Sequence, residues 1–286
     1  MALRAVTVAL LLLGLVIDES RPVPVEFVCP MDPEIRSKQP GRCSRCGMKL
    51  APGIKEQVEY PVELKVRPGH APAGQRVELE FRILDPKSGE PANQFEVIHE
   101  KIFHLFLISQ DLQYFTHEHP ERTSDGTFKL PVTLPRPGLY RMLADFYPTG
   151  GTPQLVPLTL TTSGYRGPLV AATLEPDLTP KRGENLEVEL RLEPEQPIAG
   201  KKTMMFFTLK PGDGLEPLLG AWGHMLAASN DLVDAIHSHP AIAGGGPQMQ
   251  FNVFFPREAT YRVWGQFQRK GVVNTVAFTV PVSRLK

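Results

Sequence analysis

The sequence offers a partner almost no net charge: 31 basic residues balance 31 acidic ones over 286 positions. Broad capture of nucleic acid or anionic lipid rests on basic surface, so neither is an expected partner. Cysteine is scarce as well, at three residues, and an odd count fits a disulfide-stapled scaffold poorly. Helical periodicity is nowhere sustained for about ten residues. No Ser-His-Asp set, phosphate loop or paired-carboxylate arrangement is evident, so no enzyme is expected. The N-terminal apolar run, Ala5 to Ile17, has 13 residues, short of the roughly 20 that a spanning helix needs.

What is present is a real core. Hydrophobic residues make up 42% of the chain and charged ones 22%, the values of a globular protein. Proline (29) and glycine (24) are plentiful and dispersed, which suits many short strands. Arg4 before the apolar run gives residues 1–20 the form of an export signal. No Ala-x-Ala site precedes Asp18-Glu19-Ser20, so a short membrane anchor is the alternative, and the membrane is expected to matter only through it. Either way, the rest of the chain is expected to be periplasmic or secreted.

The expected architecture is mainly β: a small metal-stabilised Cys-rich module followed by two tandem immunoglobulin-like β-sandwich domains. Residues 21–58 are rich in Pro, Gly, Cys and charge and have little to bury, so they need a metal or disulfides to fold. From Tyr60 onward, runs such as Val62 to Val66, Val77 to Phe81 and Phe128 to Val132 alternate as half-buried strands do. His104, Asp111-Leu112, His117, His119 and Pro120 recur as His224, Asp231-Leu232, His237, His239 and Pro240, each shifted by 120 residues. Tyr140-Arg141 and Phe146 recur as Tyr261-Arg262 and Phe267 at a shift of 121. The lead-in strand Gln75 to Leu84 is matched in pattern to Asn185 to Leu192. Repeats over 59–164 and 165–286 follow, each with about seven short strands, and a boundary near Ser163 to Gly167.

Cys43-Ser44-Arg45-Cys46 places two thiols on one tight turn, and Cys29 closes a loop around the same point. Thiolates, with the thioethers of Met31 and Met48, are soft donors that favour Cu(I), Ag, Zn or Cd. Arg42 and Arg45 flank the pair and are expected to lower the thiol pKa values. A disulfide plus a leftover thiol, or redox exchange at the Cys-x-x-Cys step, are the other readings.

Phe27-Val28-Cys29-Pro30-Met31-Asp32-Pro33, followed by Pro40-Gly41-Arg42-Cys43-Ser44-Arg45-Cys46-Gly47-Met48-Lys49-Leu50, resembles the heavy-metal-binding domain. That module accompanies bacterial copper and silver efflux adaptors and some metal-transporting P-type ATPases. The resemblance covers about 25 of the 286 residues and implies metal binding. Two departures stand out: Asp32 replaces the family's usual His, and Ser44 its Pro. Either Asp32 supplies a harder oxygen donor or Met31 or Met48 completes the set, with a thioether the expected fourth donor.

His117-x-His119 in an extended segment puts both imidazoles on one face. His104 on a neighbouring strand would add a third, giving an open nitrogen site for Cu(II) or Zn(II), and His224, His237 and His239 would repeat it. The competing reading is structural, with these histidines bonding backbone groups at a loop corner and Asp111 and Asp231 opening turns. Glu118 becomes Ser238 and Tyr114-Phe115 becomes Asp234-Ala235, so two sites need not bind equally. His99 has no histidine counterpart, Leu219 standing in its place, and is read as incidental. Met204, Met205 and Met249 are read as core filler, whereas Met225 beside His224 could add a thioether. The expected function is an exported heavy-metal binding protein, copper first, for capture, delivery or resistance. The alternative is an adaptor docking a metal efflux or transport component, with the repeats as scaffold.

Overall fold

The computed structural model describes residues 27–32, 35–52, 58–149, 151–241 and 244–285. The export segment expected at residues 1–20 and Pro33 of the cysteine motif lie outside them. The described residues form twenty strands and no helix.

Three two-residue strands form the N-terminal module: β1 (Phe27–Val28), β2 (Arg36–Ser37) and β3 (Ala51–Pro52), in the order β2-β1-β3. Its buried core is tiny, with Cys29, Cys43 and Leu50 at the centre and Phe27, Met31, Ile35 and Cys46 packed around them.

The first sandwich holds β4 (Val62–Arg67), β5 (Arg76–Ile83), β6 (Phe103–Ser109), β7 (Phe115–Glu118), β8 (Glu121–Arg122), β9 (Phe128–Thr133), β10 (Leu139–Phe146) and β11 (Gln154–Thr161). One sheet runs β4-β5-β9-β8 and the other β11-β10-β6-β7. The second sandwich holds β12 (Lys181–Arg182), β13 (Glu187–Glu193), β14 (Lys202–Lys210), β15 (Leu215–Glu216), β16 (His224–Ser229), β17 (Ala235–Ser238), β18 (Gln248–Phe254), β19 (Ala259–Arg269) and β20 (Val272–Val282). Its sheets run β12-β13-β14-β18 and β15-β19-β16-β17, with β20 also on β19. Period-two burial aims Val77, Leu79 and Phe81 of β5, and Met205, Phe207 and Leu209 of β14, into their respective cores.

The sheet order corrects the lead-in match between the copies. β14 lies between β13 and β18 as β5 lies between β4 and β9. The counterpart of Arg76–Ile83 is therefore Lys202–Lys210, not the segment Asn185 to Leu192. Alternation is common to all half-buried strands, so it matched two amphipathic strands that occupy different places in the sheet.

The sandwiches face each other through equivalent sheets. β6 and β16 are buried along their whole length, because both faces are covered. Phe103, Leu105 and Leu107 of β6 enter the first core, whereas Phe106 and Ile108 enter a cluster shared with the second sandwich. In β16, Met225 and Ala227 go inward while Leu226 and Ala228 join that shared cluster. Phe115 stacks on Trp264 across the boundary, ring centroids 4.7 Å apart and 10° from parallel.

Candidate metal centres

Because β1 pairs with both β2 and β3, the turn after Cys29 comes up against the Cys43–Cys46 turn. Cys43 N donates to Met48 O at 2.6 Å and Gly47 N to Cys43 O at 3.0 Å. Gly47, at φ 74°, supplies the left-handed residue that reverses the chain there. Cys29 Sγ lies 3.5 Å from Cys46 Sγ, and all three thiols are free. Asp32 Oδ2 lies 3.8 Å from Cys29 Sγ and 3.6 Å from Cys43 Sγ. One ligand atom from each of Cys29, Asp32, Cys43 and Cys46 falls within 4.8 Å of the others.

Two expectations change here. The fold aims the Asp32 carboxylate between the thiols: Arg45 Nη1 holds its Oδ1 at 2.8 Å, which leaves Oδ2 to face the sulfurs as an oxygen donor beside any thioether. Nor do the arginines pull Cys29 or Cys46 down. Arg42 Nη1 donates to Gly47 O at 3.0 Å and Arg45 is paired with Asp32. Burial, the largest influence, raises the Cys29 thiol and lifts Cys46 well above the ordinary thiol range. An arriving metal must therefore displace the protons itself.

The same alternation that builds the shared cluster places the histidines. His104 sits on the face of β6 that carries Phe106 and Ile108, and His224 on the matching face of β16. The β6–β7 hairpin opposes Phe106 to His117, and the β16–β17 hairpin opposes Leu226 to His237. Its turn is closed by Asp111, whose Oδ1 accepts from Gln113 N at 3.0 Å, and by Asp231, whose Oδ1 accepts from Val233 N at 3.2 Å. Two triads result, His104/His117/His119 and His224/His237/His239.

Their tautomers are fixed by hydrogen bonds. His104 Nε2–H donates to Ile98 O at 3.0 Å and His224 Nε2–H to Leu218 O at 2.9 Å, leaving both Nδ1 atoms bare. The accepting carbonyls belong to matching two-residue turns, with positive φ at His99 and Glu100 (46° and 64°) and at Leu219 and Gly220 (50° and 74°). His117 Nδ1–H donates to Gln266 Oε1 at 2.9 Å, and His237 Nδ1–H to Asp145 Oδ2 at 2.5 Å. His104 Nδ1 lies 3.1 Å from both His117 Nε2 and His119 Nε2, and His224 Nδ1 lies 3.1 Å from His239 Nε2. Donors so spaced subtend about 100° at an ion about 2.0–2.1 Å away. In His104 and His117 two bare lone pairs face each other, and a cation removes that repulsion.

Burial, chiefly, pushes five of the six imidazoles toward the neutral, ligating form. His119 falls to about 3, His104 and His117 are lowered, and His224 and His239 lie well below the usual range. The purely structural reading accounts for one nitrogen each of His104 and His224, the ones bonded to backbone. It does not account for the nitrogens that converge.

Three residues of the centre escaped sequence reasoning. Asp145 and Gln266 each reach across to the other sandwich's triad. They share a repeat position, directly before Phe146 and Phe267, but differ in identity, so the repeat alignment did not mark them. His99 is not incidental: its ring lies 3.8 Å from that of His239, and its buried Nε2 has no hydrogen-bond partner among the described residues. Nothing in the repeat pattern signals it. Met225 points into the second core, away from His224's ligating face.

Module and histidines share space. A cavity of about 770 Å³ is lined by Met31, Asp32 and Cys46 on one side and His99, His237 and His239 on the other. A second, of about 160 Å³, lies between Met31 and Met48 and the residues His104, His237 and His239.

A family model described as Heavy metal binding domain matches residues 27–52, and one described as Domain of unknown function (DUF8832) matches residues 55–164 and 181–284. With the cysteine cluster, the first match supports binding of a heavy-metal ion by the module. No curated protein matches the sequence. Among solved structures, a two-domain fibronectin type III segment of chicken tenascin is 10% identical, with 78% of this chain and 99% of that one covered and a TM-score of 0.25. The Escherichia coli adhesin FdeC is 13% identical over 83% of this chain and 70% of its own, TM-score 0.26. The Yersinia pseudotuberculosis adhesin InvE is 9% identical over 77% of this chain, which spans 58% of that structure, TM-score 0.25. Likeness at this level says nothing about what the chain does.

Proposed function

We propose, from the premise that the chain belongs to the family described as Domain of unknown function (DUF8832) and carries a heavy-metal-binding domain ahead of it, that it is an exported copper-capture and delivery protein. The observation that carries this reading is the shared cavity: a soft thiol site and the imidazoles of His99, His237 and His239 open onto the same space. Three thiolates select a soft ion such as Cu(I), while imidazole suits copper in either common state. Met31 and Met48, placed between the two, offer thioether stepping points toward His104, His237 and His239. No change of oxidation state is needed for such a transfer. An apolar N-terminal run of signal-peptide length supports action outside the cytoplasm.

Competitive Cu(I) titration of the full chain tests capture: the Cys29→Ser/Cys43→Ser/Cys46→Ser variant is expected to lose the tightest site, and undiminished affinity would defeat the reading. X-ray absorption during stepwise Cu(I) addition tests delivery, with sulfur ligation expected first and nitrogen ligation after it. Cell fractionation tests export; retention of the full-length protein in the cytosol would remove that part.

A further inference from the structure

The two histidine triads are not two distant sites. His104 and His117 lie 5.3 Å apart, ring centroid to centroid, within their own triad. Across the boundary, His117 lies 5.5 Å from His224, and His104 6.1 Å from His237 and 6.4 Å from His224. Rings of different sandwiches are thus nearly as close as rings of one triad. The second-layer bonds are reciprocal: the first sandwich's His117 is held by Gln266 of the second, and the second's His237 by Asp145 of the first. Each triad has one histidine held by a residue of the other repeat.

We propose that the boundary between the sandwiches is a dinuclear metal centre, with one ion in each triad and a small anionic oxygen ligand such as hydroxide between them. Three nitrogens leave an ion such as copper with open positions. The crossing bonds tie each triad to the opposite sandwich, and ring centroids of the two triads come within 5.5 Å, so one small ligand between the ions, as in two-metal sites about 3.5–4 Å across, completes the proposed centre. The charge balance favours an anion there. Imidazole ligands bring no negative charge, and the Asp145 carboxylate bonded to His237 leaves two divalent ions under-compensated in a buried site, while Lys101 adds positive charge beside His104 and His119. His237 Nε2, buried and without a hydrogen-bond partner among the described residues, is a bare nitrogen available to an ion. This inference deepens the reading of the chain as a copper protein, but it does not depend on the cysteine module.

The test uses the full chain carrying Cys29→Ser, Cys43→Ser and Cys46→Ser, which removes thiols that would reduce Cu(II). After loading with Cu(II) and removal of excess, elemental analysis is expected to find two coppers per chain. Electron paramagnetic resonance is expected to count far fewer spins than copper ions, with azide altering the spectrum by entering the bridge. His224→Gln is expected to leave one copper with a full, mononuclear signal. The proposal is overturned by two coppers with a full, unbroadened spin count, by a single copper that survives loss of either triad, or by no bound copper. The spin count on the unaltered triads stands even if the His224 variant misfolds. A negative result here leaves the Cu(I) titration of the wild-type module untouched, so the two readings fail separately.

Discussion

The thiol module and the imidazole centre solve opposite problems. The module gathers its ligands from two neighbouring turns and buries little besides them, so its sulfurs are both the site and the core. The imidazole centre draws ligands from four strands, and from the residues just past two of them, in two sandwiches, each with a large apolar core of its own. In the first case the ion makes the fold; in the second the fold makes the site. The difference separates what metal removal does to each.

The sharpest way to break that comparison is to strip the metal. With chelator present, or in Cys43→Ser, residues 27–52 are expected to lose their order altogether, since a structural ion supplies about 10–16 kcal/mol to such a module. Amide exchange and proteolysis localised to that segment check this, while in Cys43→Ser, which leaves the histidines intact, the unfolding of the sandwiches should barely move. Collapse of both together would sink the distinction.

Next comes Trp264→Ala. It removes a side chain only 4% exposed that stacks on Phe115, and such truncations cost about 3–5 kcal/mol. Denaturant unfolding measures the loss, and metal affinity should weaken at both triads because the boundary holds both. A smaller effect comes from exchanging the crossing partners. Asp145→Asn should weaken the His224/His237/His239 site by about 10–100-fold, the usual weight of such second-layer partners, and Gln266→Glu should strengthen the opposite triad. Competition titration of the thiol-free chain reads both.

The smallest expected change is His99→Leu, which copies the residue at the matching turn of the second repeat. It removes a buried Nε2 that has no partner among the described residues and should stabilise the chain by about 1 kcal/mol in thermal unfolding with copper stoichiometry intact. Loss of an ion instead would make His99 a ligand and enlarge the centre.

These contrasts follow how far each feature is legible in the sequence. Thiol spacing is local, so Cys29, Cys43 and Cys46 stand out from their neighbours alone, and duplication makes the six histidines visible as a pattern. Alternation reveals the sandwich strands, yet cannot distinguish β13 from β14, because both are amphipathic in the same way. Electrostatic partners are harder. Arg45 beside Cys46 reads as a thiol activator until the fold turns it onto Asp32. That the two repeats face one another is hidden altogether. The fully buried runs after His104 and His224 admit a second covered face without saying what covers it.

The crossing pair, Asp145 onto His237 and Gln266 onto His117, has the form of a contact across a two-fold axis. In an assembly of two identical chains, every substitution at such a contact appears twice, so the halves stay alike. Covalent tandem joining lifts that constraint. One half can hold a carboxylate where the other holds an amide, and a histidine where the other holds Leu219. Two pockets of common descent are thereby free to bind with unequal strength and to fill in a set order, an asymmetry closed to any symmetric homodimer.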